Sequence, residues 1–146
     1  MDYLQSFAIS AAGMSVERTR VEVAGLNLAN ANTVLEAGMG FRPLRVISQA
    51  QEAQGAFPGN FFPTLVGRGL AGPNFTIEAI EREPRRVLEP GHPSADASGF
   101  VSYPAVEVTN EMVTMMAATR AYEANVAALN AARTVALKAL DIGSAS

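Results

Sequence analysis

All eight prolines of this chain fall between Phe41 and Val108, at positions 43, 58, 63, 73, 84, 90, 93 and 104. Proline removes an amide donor and clashes with the preceding helical turn, so no long helix crosses the middle, while both flanks stay free to be helical. The flanks use that freedom. Leu4, Phe7, Ala11, Met14, Arg18, Val21, Gly25 and Leu28 alternate in steps of three and four, the spacing of a helix packed along a seam. A second track, Ile9, Ala12, Val16, Val23 and Leu26, widens the apolar surface and points to more than one neighbour.

The C-terminal flank repeats the pattern more strongly. Met112, Met115, Thr119, Tyr122, Val126, Leu129, Arg133, Ala136 and Leu140 keep the spacing on an alanine-rich background. Thr109 or Asn110 is expected to cap the start, and Gly143 with Ser144-Ala145-Ser146 to end it. About thirty residues at roughly 1.5 Å each make a rod on the order of 45 Å, longer than a compact domain of this size needs. The fold class expected is therefore mainly α: long N- and C-terminal helices packing as an antiparallel coiled-coil-like pair, framing a small β-rich middle segment. The expected divisions are residues 1–35, 36–108 and 109–146, with a mobile insertion at about 49–74. Strand candidates in the middle are Arg45-Val46-Ile47, Phe75 to Ile80, Arg86-Val87-Leu88 and Gly99-Phe100-Val101.

Charge and composition exclude more than they assign. The net charge of -3, with Lys138 the single lysine among scattered arginines, lacks the clustered cations that phosphate recognition needs, so no nucleic-acid partner is expected. Without cysteine there is neither thiol chemistry nor a disulfide framework. The apolar run from Phe7 to Met14 is too short to span a bilayer, and no positive start marks a cleaved secretory signal, so no membrane insertion is expected. His92, Ser94 and Asp96 fall within five residues, but neighbours in a Pro-Gly turn seldom converge on one reacting atom. A turn in which Asp96 or Ser98 satisfies local amides is the better reading. Glu81, Glu83 and Glu89 lack a His or Cys partner and alternate with Arg82, Arg85 and Arg86, which suits ion pairing rather than a metal. Gly67-Arg68-Gly69 lacks the strand-to-helix setting of a phosphate cradle. No catalytic residue, cofactor or metal is expected.

Two constellations stand above this background. Val21 to Thr33 sets Asn27, Asn30 and Asn32 where an ordinary amphipathic helix carries Lys or Glu. Terminating a helix needs one Asn, whereas an amide that donates and accepts in a partly buried seam fixes register at some cost in stability. The second is Glu111 to Asn125, where Arg120, Glu123 and Asn125 crowd around Tyr122 on an alanine-rich rod, and Met112, Met115 and Met116 suit a core face.

At these residues the chain resembles a known family. Leu26 to Thr33 followed by Gly40-Phe41-Arg42 resembles the N-terminal signature of the bacterial flagellar rod and hook axial proteins. Arg120 to Asn125 with Leu140-Asp141-Ile142-Gly143 resembles their C-terminal one. Glu89 to Val101 and the short length are similar to the proximal-rod branch, while Gln49 to Asn74 matches little. The resemblance implies a non-enzymatic structural subunit of the flagellar basal body, exported without a cleaved signal through the flagellar type III export apparatus. Its partners would be copies of itself and other flagellar rod proteins, assembled helically into the rod that crosses the periplasm and carries motor torque.

Spacing and resemblance together nominate a subunit interface. Leu4, Phe7, Met14, Val21 and Leu28 are expected to pack against Met112, Met115, Tyr122, Val126, Leu129 and Leu140, within the subunit and between copies. Asn27, Asn30, Arg120, Glu123 and Asn125 are expected to set register. Gly13 and Gly25 each weaken the first helix by about 1 kcal/mol relative to Ala, which favours ordering on assembly. The rival reading is a free-standing coiled-coil adaptor for one partner helix, with an enzyme third and another short rod protein of the same family as a fourth possibility.

Overall fold

Helix dominates both flanks because nothing there interrupts it. A computed structural model describes residues 3–36, 40–49 and 74–144, so the expected insertion lies almost wholly outside the described residues. Helix α1 runs Tyr3–Asn30 over 28 residues. Strands β1 (Leu44–Gln49), β2 (Asn74–Ala79), β3 (Arg85–Leu88) and β4 (Phe100–Tyr103) follow, and helix α2 closes the order as Val108–Ser144, 37 residues long. Two helices with a small stranded middle match the coarse expectation.

The ends of α2 differ from the expected ones. It starts one turn early: the Glu107 carbonyl accepts the Glu111 N–H at 3.1 Å, and the Asn110 side-chain amide donates back to the Glu107 carboxylate at 2.6 Å. Thr109 and Asn110 therefore sit inside the first turn instead of preceding it. At the other end the helix runs through Gly143, since an alanine-rich body outweighs one glycine at the terminus.

The strands form two separate two-stranded sheets, β1 with β2 and β3 with β4. In the second, the strands are antiparallel, with Arg85 opposite Tyr103, Val87 opposite Val101 and Leu88 opposite Phe100. Its connection is built by Asp96, whose Oδ1 accepts the N–H groups of Ser98 and Phe100 at 2.8 and 3.0 Å. Gly99 closes the turn at φ 80°, a backbone region that side-chain-bearing residues seldom adopt. The free edge of β4 is covered as well, because the Leu35 N–H donates to the Ser102 carbonyl at 2.8 Å. Alternation then turns Val101 and Tyr103 inward, both buried.

The described residues divide into two compact units, one drawn from residues 3–18, 48–49, 74–76 and 118–144, the other from residues 19–36, 40–47 and 77–117. The first buries Val16 and Ala118. The second buries Val23, Ala24, Asn27, Ala31, Val101, Tyr103 and Pro104.

Candidate subunit interface

The three asparagines at the end of α1 have three separate jobs. Asn27 is fully buried, at 0 % exposure, and is the one polar side chain in the core of the described residues. Its Oδ1 accepts the Leu44 N–H at 2.8 Å, while its Nδ2 donates to the Leu44 carbonyl at 2.8 Å and to Glu111 Oε1 at 3.0 Å. Both donors and the acceptor of the carboxamide are thereby satisfied, as a buried polar group requires. Asn30 ends the helix: its Nδ2 donates to the Leu26 carbonyl at 2.8 Å, and its own carbonyl accepts the Thr33 N–H at 3.1 Å. Asn32, just beyond, accepts from Arg85 at 3.3 Å. Leu44 and Glu111, the partners that give Asn27 its meaning, carried no local signal that would pair them with it.

Within the first unit the helices meet at small residues. The Asn125 side chain lies so close to Gly13 that a Cβ there would come within 2.9 Å of its Nδ2. Ala118, Asn125 and Ala132, one heptad apart, turn inward or half inward. Of the expected seam, Val126, Leu129 and Ala136 are half-buried on α2 in this unit, whereas Thr119, Tyr122 and Arg133 are exposed. Large apolar residues at the expected positions are left partly uncovered instead. Phe7, Met14, Val126 and Leu129 are half-buried, Tyr122 is 40 % exposed and Leu140 70 % exposed. Arg120 and Glu123 are exposed too. The side chain of Leu4 lies outside the described residues.

In the second unit Val21, Leu28 and Met115 are half-buried and Met112 is 53 % exposed. Ala11, Arg18 and Leu26 of α1 are exposed, whereas Val16, Val23, Ala24 and Ala31 are the residues that go inside. Small side chains and one asparagine thus make the contacts inside the chain. The larger apolar row beside them, at a strict interval of seven from Phe7 to Leu28, stays half covered.

The middle holds charge in pairs. Arg42 meets Glu81 at 3.5 Å, Arg45 meets Glu78 at 3.3 Å, and Arg86 bonds Asp96, all on exposed side chains. Phe100 N–H donation, joined by Ser98 and Arg86 and opposed by partial desolvation, holds the Asp96 carboxyl below its ordinary value. Arg85 and Arg86 lie over the Tyr103 and Phe100 rings, 5.2 and 4.9 Å from the centroids. Desolvation, together with donation of its hydroxyl to Glu89 at 3.1 Å, pushes the Tyr103 phenol above its usual range. His92 Nδ1 accepts the Ser94 backbone N–H at 3.1 Å and Asp96 is engaged by Arg86 and the turn, so the three residues are occupied as turn formers. A groove of about 700 Å³, with Phe41, Ile80, Pro84 and Phe100 among its walls, opens beside them. No described helix is long and apolar enough to cross a membrane.

Long helices that meet through small residues, keep a larger apolar row half covered and flank a small stranded middle define a subunit of an axial assembly. A family model described as "Flagellar basal body rod FlgEFG protein C-terminal" matches residues 97–142. The flagellar basal-body rod protein FlgC of Escherichia coli O6:H1 is 37 % identical over 144 residues, covering 98 % of this chain and 99 % of that protein. Those of Salmonella typhimurium and Bacillus subtilis are 36 % and 32 % identical, again over 98 % of this chain and 99 % of each relative. The chain belongs to the FlgC family of flagellar basal-body rod proteins, structural rod subunits of the basal body.

Proposed function

We propose that the chain polymerises helically, with copies of itself and with other flagellar rod proteins, into the proximal rod that passes motor torque to the hook and filament. The observation that carries this reading is the row of large apolar side chains, from Phe7 and Met14 to Tyr122 and Leu140, left half covered in the single chain. Full burial of such a side chain contributes roughly 1.5–3 kcal/mol relative to full exposure, and covering its exposed half contributes about half of that. The role is structural, without catalysis, cofactor or metal.

The helices are proposed to pack as an antiparallel coiled-coil-like pair. Gly13 stands against Asn125 in one unit and Asn27 meets Glu111 in the other, two heptads further along α1 and two heptads back along α2. The sequence segments 1–35, 36–108 and 109–146 are read as N-terminal rod helix, middle and C-terminal rod helix. Interface side chains are proposed to be Leu4, Phe7, Met14, Val21, Leu28, Met112, Met115, Tyr122, Val126, Leu129 and Leu140, with Asn30, Arg120 and Glu123 at its polar margin. A chain whose helices are completed by neighbours suits export in an unfolded state, through the flagellar type III apparatus, to the periplasm-crossing rod. The test is Val126→Asp in a strain lacking the native protein. Incorporation into isolated basal bodies and swimming should both be lost while the middle keeps its fold, and normal rods from that variant would refute the reading.

A further inference from the structure

We propose that Asn27, Leu44 and Glu111 form a latch that fixes the rotation of α1 about its own axis, and so decides which leucines the chain keeps for its neighbours. The second half of this inference rests on the rod-subunit reading; the first does not. Leu26 and Leu28 flank Asn27, and hydrophobic preference alone would turn one of them inward. The structure does the opposite: Asn27 is fully buried, Leu26 is 50 % exposed and Leu28 is half-buried.

The reason lies in the match between a carboxamide and a peptide group. Asn27 pairs with both the N–H and the C=O of Leu44, as one strand pairs with another, and its remaining N–H reaches Glu111 in the first turn of α2. With no water at a fully buried site, losing any of these bonds strands a donor or an acceptor. No other side chain serves. Aspartate lacks both donors and would face the Glu111 carboxylate; glutamine is a methylene too long; leucine fills the space but leaves the Leu44 peptide unpaired. A one-residue rotation of α1, about 100°, would break all three bonds at once. The latch also joins segments far apart in sequence, 17 residues from Asn27 to Leu44 and 84 from Asn27 to Glu111. It closes only when the end of α1, the start of β1 and the start of α2 are all in place. This is the use of a buried asparagine at a helix seam: register is specified at a cost in stability.

The experiment reads Leu44 amide hydrogen exchange in the full chain, and incorporation of the same variants into basal bodies. Asn27→Leu removes the acceptor of the Leu44 N–H and should speed Leu44 exchange at least about tenfold, the scale of one buried hydrogen bond. Asn27→Asp keeps that acceptor but loses both donors and faces the Glu111 carboxylate, so it should abolish incorporation; adding Glu111→Gln, whose amide donates to the new carboxylate, should restore part of it. Asn27→Leu, apolar and of similar size, should keep the helix content of the wild type and still fail to incorporate. Leu44 exchange unchanged by Asn27→Leu would overturn the latch while leaving the rod reading intact. Normal incorporation of Asn27→Leu would show that the latch does not select the exposed row. Absence of the wild-type chain from basal bodies would remove the assembly half alone, because the latch is read from Leu44.

Discussion

Two glycines of α1, identical in composition terms, are set apart by what faces them. A Cβ at Gly25 would meet nothing within 4 Å, whereas one at Gly13 would come within 2.9 Å of the Asn125 amide. Gly25→Ala should therefore gain the full helix-propensity difference, about 1 kcal/mol, in thermal unfolding of the isolated chain. Gly13→Ala should gain less, because Asn125 must swing away; in an Asn125→Ala background the Gly13→Ala gain should return. Asp96 and Tyr103 set the pH limits of the second unit. With its carboxyl held below 3.8, Asp96 supports the fold at all pH values above that and withdraws its support as pH falls through its depressed pKa. Tyr103, raised above 10.0, acts at the opposite end: its contribution is complete below pH 10.0 and is lost as alkali ionises the phenol. Melting temperature followed into acid should fall less steeply for Asp96→Asn, and into alkali less steeply for Tyr103→Phe, than for the wild type.

At the scale of elements, what spacing can and cannot reveal becomes visible. Both helices, the four strands and the Asp96 turn were legible because proline placement, three-and-four spacing and Asx chemistry are local properties. The side of each helix that faces inward was not. The first track ran through Ala11, Arg18, Thr119 and Arg133, which are exposed, while Val16 and Val23 of the second track are buried together with Ala24 and Ala118, and Asn125 is half-buried. Small side chains allow close approach but add little to an apolar pattern, so that seam is quiet in the sequence. Asn27 stood out in the sequence; its pairing with Leu44 and Glu111 did not, since those contacts span 17 and 84 residues. The distinction is testable. Ala118→Leu overfills a site exposed by only 2 %, and should destabilise the isolated chain by about 1–3 kcal/mol. Leu140→Lys, at a site 70 % exposed, should stay within about 0.5 kcal/mol in denaturant unfolding yet fail to enter basal bodies.

For the whole molecule, the consequence is that helix stability becomes a property of the assembly. Val135, Leu137, Leu140 and Ile142 on the last turns of α2 are each at least 52 % exposed, so little tertiary packing holds that end of the helix in the single chain. Helices gain most of their stability from packing an apolar face, and local opening is easiest where such packing is missing. Amides of these turns should therefore exchange rapidly in dilute protein, well before those of Val23, Ala24 and Asn27, which are buried. Association shifts this by mass action: at free subunit concentrations a hundred times the dissociation constant, the bound form is favoured by about 2.7 kcal/mol. Exchange at Val135 to Ile142 should then slow about a hundredfold in assembled rods relative to dilute chain, while Leu44, already held by Asn27, should change far less. Uniform slowing across both regions would point instead to a chain that folds as a whole only on assembly. Full protection of α2 at high dilution would mean that neighbours add nothing to it.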